Sequence, residues 1–362
     1  MGVRRVVGCM TGTSIDGLDA ALVEIDSAGL EMQARVVRCL SRPLGEVGTT
    51  LRLLAEQRPM IASEIAAAMF AFAMLHAVTV SELLSGEPCD LICVHGQTVF
   101  HRPPLSWQLM QPAPIVEALH CPVVYDLRQA DLAGGGEGAP ITPIADWVLF
   151  RGVSPLTAVV NLGGYCNVTL IPGDQGDAAT PIESLRACDV CACNQLLDEI
   201  SRRLLYTPFD EDGRHALAGS VSEEALIDLD GILSAQSGSK RSLGTGDEVA
   251  EWISRFRARV TPQDLAATAC EGIAGSIAAS VKGAEKLLLA GGGVRNQGLI
   301  RAIRSAAAAS VDSTEVRGVP PMYREAACFA VLGALCQDKV PITLPQVTGV
   351  SRPPLSGAWV YP

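Results

Sequence analysis

The sequence predicts an α/β protein built from two related lobes, on three observations. An apolar, strand-like run ends in a glycine-rich turn three times: at residues 6–19, at 158–164 and at 286–293. Two of these turns lead into a second β-leaning run, 20–25 and 165–171, so each reads as a hairpin, and the recurrence points to a duplicated lobe. The chain, at 362 residues, is long enough for two domains and a substantial core.

The first turn, GCMTGTSIDGLD at residues 8–19, is rich in glycine and small hydroxyls. Glycine permits close approach, so the turn can gather backbone N–H groups and the Thr11, Thr13 and Ser14 hydroxyls around one anion. Asp16 and Asp19 would repel a bare phosphate but suit one carried by a divalent cation. An ordinary polar β-turn has the same composition; the Gly163-Gly164 turn and the Gly291-Gly292-Gly293 turn favour a nucleotide-phosphate hairpin over it. No turn is a Walker loop or a Gly-x-Gly-x-x-Gly dinucleotide fingerprint.

Residues 32–42 read as a further strand of the first lobe, and 45–57 and 61–85 as helices. The most apolar stretch, 61–84, carries Glu64 and His76, which favours a core helix over a membrane span. The buried strand 90–94 delivers His95 and Gln97 at its C-terminal end, where α/β folds place ligand residues. With His101 and Arg102 they form either a polar substrate wall or a turn of satisfied side chains. Strand 122–126 ends in charge, and Arg128 is a good anchor for a carboxylate or phosphate. The glycines of 134–138 read as a hinge between lobes, and 142–150 as a helix. Asp189 precedes a helix over 192–205, where it serves as N-cap or as general base. The acidic turn 209–213 reads as solvated in preference to metal-facing, and Lys240 as a phosphate contact. Pro262 and Asp264 start a long helix over 261–283. The last strong helix begins at Glu325, expected as its exposed exception, and 341–362 is an extended return.

Charge and cysteines narrow the partners. Lys and Arg number 28 against 39 Asp and Glu, and the net −11 argues against nucleic acid and anionic membrane. A small anionic substrate needs only a locally positive pocket. The start, MGVRRVVG, has no signal-peptide apolar segment, so a cytoplasmic protein is expected. The twelve cysteines then read as reduced small residues, and the Cys188, Cys191, Cys193 cluster lacks the further ligands of a zinc or iron–sulfur site.

Together these stretches resemble the anhydro-N-acetylmuramic acid kinases, bacterial sugar kinases of the actin–hexokinase (ribonuclease H-like) fold. The matching segments are 8–19, 94–103, 126–140, 161–169, 288–296, 325–332 and 345–349, in order over nearly the whole chain. The resemblance implies two lobes, each a mixed sheet flanked by helices, closing around ATP and Mg²⁺: residues 1–130 with 346–362, and 131–345. It implies that Gly12, Thr13, Ser14, Ile15, Asp16, Gly17, Leu18 and Asp19 grip the phosphates, with Asp16 and Asp19 toward the metal. Gly163, Gly164 and Asn167 form the second phosphate hairpin, and Gly291, Gly292 and Gly293 the adenosine glycines. Asp189 is the implied base, and His95, Gln97, Arg128 and Glu325 the implied sugar contacts. The implied reaction opens the 1,6-anhydro bridge with water and phosphorylates O6, in peptidoglycan recycling; a homodimer is implied as well.

Two departures stand out. Where the family has Asp-Thr-Gly-Pro-Gly-Asn, this chain reads DVCACN from Asp189 to Asn194, and a Gln-x-Gly-Asp-Pro stretch is replaced by QLMQP at 108–112. Added Cβ atoms would narrow the first turn or forbid a positive φ within it. A kinase for another anhydro sugar, or a catalytically impaired nucleotide- or sugar-binding relative, are the rival readings. Arg128 separates the sugars, since an acidic substrate needs it most.

Overall fold

The computed structural model describes residues 2–173, 182–236 and 247–362; Lys240 lies outside them. The chain opens with β1 (Arg4–Thr11), β2 (Gly17–Asp26), β3 (Gln33–Pro43), α1 (Gly45–Ala55) and α2 (Ala62–Leu84). Then come β4 (Leu91–Val94), β5 (Gln97–Arg102), β6 (Leu105–Leu109), α3 (Ala113–Leu119), β7 (Val123–Tyr125), α4 (Gln129–Ala133) and α5 (Pro143–Phe150). The middle holds β8 (Leu156–Leu162), β9 (Tyr165–Pro172), β10 (Arg186–Ala192), α6 (Asn194–Ile200), α7 (Arg214–Ala218), α8 (Glu223–Gln236), α9 (Asp247–Phe256) and α10 (Pro262–Ser280). The chain ends with β11 (Lys286–Ala290), α11 (Gln297–Ala306), β12 (Ser310–Ser313), α12 (Arg324–Gln337), α13 (Pro345–Thr348) and β13 (Ala358–Val360).

Two compact units result. One comprises Met1–Leu149, Arg317–Val319 and Tyr323–Pro362, the other Phe150–Val316 and Pro320–Met322. Their sheets run β13-β7-β4-β1-β2-β3 and β10-β9-β8-β11-β12. In each, a three-stranded antiparallel meander places its first strand parallel to a fourth, and the fourth parallel to a fifth. That shared order is the ribonuclease H-like arrangement, repeated as the duplicated hairpins predict.

In the first unit the sheet is covered on both faces, which is why its central strands are almost uninterruptedly apolar. Val7, Cys9, Leu18 and Leu22 join Phe72 and Val80 of α2 in one core. Gly8 faces the other way, onto α12. A Cβ at Gly8 would run into the Ala326 carbonyl and the Ala330 N–H, so only glycine lets α12 lie flat on β1. From Ala326 to Cys336 every residue of α12 is buried, and burying a side chain such as Phe329 contributes about 1.5–3 kcal/mol. This packing moves the lobe division: residues 131–149 and 323–345, expected in the second lobe, belong to the first unit. The 134–138 glycines therefore lie inside one unit and are no hinge. They wrap the buried Asp131 carboxylate, which accepts from Gly138 N at 2.8 Å and from Thr348 Oγ1 at 2.8 Å.

Among the described helices, α2 alone is long and apolar enough to cross a membrane by length and composition, and half of its most apolar window is buried within the unit. His76 lies in that buried face, its Nδ1 2.8 Å from the Phe72 carbonyl. The pair β5–β6, which carries the stretch read from sequence as a polar substrate wall or a turn of satisfied side chains, is a separate two-stranded ribbon.

The second unit is centred on Val160, Val168, Leu287 and Leu289 with helices α6, α8, α9 and α10 around them. Helix α10 starts as its sequence signals predict, with Thr261 Oγ1 accepting from Asp264 N at 3.1 Å. Trp252, wholly buried, keeps its indole N–H satisfied on the Ala225 carbonyl at 3.0 Å.

Candidate active site

The first unit supplies a braced hairpin and a cationic pocket wall. Between β1 and β2 the chain turns through Ile15 at φ 53°, closed by Ile15 N–H to the Gly12 carbonyl at 3.2 Å. Thr13, Ser14 and Asp16 are exposed, whereas Ile15 and Leu18 point into the core. The side chains of those two anchor the turn in the core. Arg52 of α1 donates to the Ile15 carbonyl at 3.0 Å and fixes the turn from beneath. Ser14 Oγ donates to Asp16 Oδ1 at 2.8 Å, which orients that carboxylate. Asp19, half-buried on β2, stands opposite Met10.

At the end of β4, His95 and Gln97 come next to this turn. Thr11 Oγ1 donates to the Gly96 carbonyl at 3.3 Å and Gln97 Nε2 to the Gly12 carbonyl at 3.3 Å. Gln97 is thus chiefly a brace, although its buried Oε1 accepts no hydrogen bond from the protein. Arg128 Nε donates to His95 Nε2 at 3.0 Å and Arg128 Nη1 to the Gly138 carbonyl at 2.7 Å. A neutral imidazole that accepts at Nε2 carries its own proton at Nδ1. Burial, with the Arg128 charge adding to it, holds the His95 pKa well below the ordinary value, so the ring is neutral. Burial pulls the Arg128 guanidinium down to about 10, opposed by Glu325 and Asp131, so it stays cationic at neutral pH.

Glu325 opens α12 and is half-buried, not the exposed exception expected of it. Burial raises its carboxyl above the usual range, while the Arg324 and Arg128 charges oppose the rise. Its neighbour Arg324 is locked to Asp146 of α5: Nε donates to Oδ1 at 2.7 Å and Nη2 to Oδ2, with both residues buried. The arrangement sets two cations among three carboxylates and one neutral histidine.

In the second unit the register carries the chemistry. Asn161 of β8 pairs with Asn167 of β9, and Asn167 with Asp189 of β10. Directly opposed residues share a sheet face, so the three side chains form one row, graded from buried Asn161 to exposed Asp189. Asp189 lies within a strand, just before a bulge that precedes Cys191. The N-cap of α6 is Cys193, which excludes the capping role for Asp189.

The departures from the family turn are accommodated by backbone. None of residues 190–194 has a positive φ. Cys193 N donates to the Gly164 carbonyl at 2.9 Å and Asn194 N to the Gly163 carbonyl at 3.0 Å. Asn194 Nδ2 adds a bond to the Leu162 carbonyl at 2.9 Å. The helix start is thereby tied to the Gly163-Gly164 turn. After β11, Gly291 adopts φ 83°, and a Cβ there would lie 2.8 Å from both Asn161 Oδ1 and the Leu162 carbonyl. At Gly293 a Cβ would meet Leu162 Cβ at 2.7 Å and Asn194 Oδ1 at 3.0 Å. These glycines let two strand ends and a helix start converge. At their meeting point Asn161 Oδ1 is buried and accepts no protein hydrogen bond.

Sequence reading missed Asn161 and Asn194 as site residues. The signal for Asn161 is there, a polar residue near the end of an otherwise apolar strand. The Asp146–Arg324 pair has no such signal, because its partners are 178 positions apart. Among the described residues no group of three or more His, Cys, Asp or Glu side chains is placed to hold a metal ion. Mg²⁺ in phosphoryl transfer needs only one or two carboxylates besides the phosphates, and the exposed, oriented Asp16 fits that need.

The anhydro-N-acetylmuramic acid kinase family matches residues 4–362 of the chain. An anhydro-N-acetylmuramic acid kinase of Salinibacter ruber is 33% identical over 386 residues, covering 97% of this chain and 95% of that protein. One from Rhodopseudomonas palustris is 34% identical, covering 98% and 99%, and one from Bordetella pertussis 34%, covering 99% and 96%. With a family match from the first strand to the last residue, and relatives aligned along their whole length, the chain belongs to the anhydro-N-acetylmuramic acid kinase family.

Proposed function

We infer that this protein is an ATP-dependent kinase that opens 1,6-anhydro-N-acetylmuramic acid with water and phosphorylates O6, giving N-acetylmuramic acid 6-phosphate and ADP in peptidoglycan recycling. The observation that carries the mechanism is the strand position of Asp189, exposed and in register with Asn167 and Asn161. An exposed strand carboxylate in line with two asparagines can take a proton from water. In the reaction that water attacks the anomeric carbon, the bond from that carbon to O6 breaks, and O6 attacks the γ-phosphorus as ADP departs. The water's proton rests on Asp189.

The remaining residues take supporting parts. The Thr13 and Ser14 hydroxyls and the backbone N–H groups of the first hairpin hold phosphate oxygens, and Gly291, Gly292 and Gly293 admit the nucleoside against bare backbone. Asp16 would hold Mg²⁺, which would supply neutralisation of the charge on the transferred group. Arg128, kept cationic and aimed by His95, holds the lactyl carboxylate, and Glu325 accepts from sugar hydroxyls. The protein acts in the cytoplasm, with a small sugar as its partner and neither nucleic acid nor membrane. Arg128 favours the acidic anhydro sugar over a plain anhydrohexose.

The test is ADP release with and without the sugar. Turnover must depend on 1,6-anhydro-N-acetylmuramic acid. Asp189→Asn should lower it by roughly 10²–10⁴-fold, the range for a general base, while nucleotide affinity stays unchanged. Turnover that persists in the variant would remove Asp189 from the mechanism.

A further inference from the structure

The mechanism uses none of the twelve cysteines, and two of them approach each other. Cys89 Sγ and Cys121 Sγ are 3.2 Å apart, and the Cys121 thiol also reaches the Cys89 carbonyl at 3.4 Å. Cys89 lies two residues before β4 and Cys121 two residues before β7, the parallel neighbour in which Val123 stands opposite Ile92. The sulfurs therefore face each other where both strands begin. His95 and Arg128 stand beyond the opposite ends of the same strands.

The two thiols differ in a way that suits stepwise chemistry. Cys89 is partly exposed and Cys121 buried. The hydrogen bond between the two sulfurs lowers the Cys89 pKa, with help from Arg5 and against burial and Asp90. Cys121 is pushed up by that same hydrogen bond and by burial. A reachable thiol in contact with a buried partner is the division of labour of an attacking and a resolving thiol.

We propose that Cys89 and Cys121 form a dithiol that closes to an intramolecular disulfide on exposure to peroxide, stapling the starts of β4 and β7. The Cys89 thiolate attacks one oxygen of hydrogen peroxide, the O–O bond breaks, and hydroxide leaves a sulfenic acid on Cys89. The Cys121 sulfur attacks that sulfur, the S–S bond forms, and water departs with the Cys121 proton. Two thiols are oxidised, and one peroxide is reduced to two waters.

The experiment treats the full-length protein with hydrogen peroxide, blocks residual thiols, and maps peptides by mass spectrometry under non-reducing conditions. The expected result is a Cys89–Cys121 linked peptide, a mass lower by two hydrogens, and complete reversal by dithiothreitol. Closing a loop of this length should raise the melting temperature by of the order of 5 °C. Kinetic constants should not change, because the bond forms at the strand ends remote from His95 and Arg128. Cys121→Ser should stop at a Cys89 sulfenic acid that dimedone traps, and Cys89→Ser should yield neither product, with both variants melting like the reduced parent. Linkage of Cys89 to Cys9, or over-oxidation of Cys89 with Cys121 left free, would overturn the proposal. A linked protein that melts no higher than the reduced form would overturn the stapling.

Discussion

Replacing Asp146 with Asn should unlock α12 from its unit. Asp146 receives both Nε and Nη2 of Arg324, and the two side chains are 0% and 1% exposed. Arg324 Nη2 also donates to Thr142 Oγ1 at 3.3 Å. Asparagine keeps the shape and one acceptor but removes the charge that Arg324 contacts directly, leaving the neighbouring Glu325 as the negative group near that buried cation. Removing one partner of such a pair costs about 3–5 kcal/mol, or roughly 6–20 °C in melting temperature at 2–4 °C per kcal/mol. Because two units can unfold separately, hydrogen exchange on α5 and α12 peptides is the reading to take alongside calorimetry. Asp146→Leu with Arg324→Met removes both charges together, and apolar replacement of a whole buried pair is often neutral. The double variant should therefore recover most of the loss. Two results would refute the reasoning: a loss below about 0.5 kcal/mol in Asp146→Asn, the scale of an unconnected surface change, or a double variant no more stable than the worse single one.

Three other outcomes follow from the same geometry. The buried His76 titrates near 4 against an ordinary 6.5, so below pH 6.5 the unfolded chain takes up a proton the folded one refuses, and stability falls as pH drops toward 4. That single group should cost about 2–3 kcal/mol by pH 4.5; His76→Leu should show a correspondingly shallower acid slope in urea unfolding, and an identical slope would contradict it. Gly291→Ala forces a side chain into φ 83° against Asn161 and Leu162; at about 1–2 kcal/mol for the backbone alone, nucleotide affinity by calorimetric titration should fall about tenfold or more, and unchanged affinity would remove Gly291 from the site. Arg128→Met should raise KM for the acidic anhydro sugar about 10–100-fold, the worth of a charged hydrogen bond, yet leave an anhydro sugar without a carboxylate unaffected; equal losses on both sugars would show Arg128 acting only through His95.

Much of this was legible in the residues. Glycine turns mark the ends of the apolar strands β1, β8 and β11, and the two hairpins announce the repeated sheet. What local pattern could not give is anything set by distant packing. Whether 323–345 belongs to the first or second lobe depends on Gly8 accepting α12 against it, a contact across more than three hundred residues. The 134–138 glycines look like a hinge by composition, but they fold around one buried residue, Asp131, whose carboxylate takes the Gly138 N–H and whose carbonyl takes the Gly136 N–H. Asp189 before a helix suggests a cap by frequency, yet strand pairing with β9 carries β10 through Ala192 and moves the cap to Cys193. The substituted 189–194 turn looked incompatible with the family's glycines; the carbonyls of Gly163 and Gly164 instead hold it without any positive φ.

The most direct measurement is the mass of the sugar product after incubation with ATP, Mg²⁺ and 1,6-anhydro-N-acetylmuramic acid, with Asp189→Asn in parallel. The account predicts a product heavier by one phosphoryl group and one water, formed with ADP and absent from the variant. A product carrying phosphate without the added water, or a phosphosugar made equally well by Asp189→Asn, would contradict it.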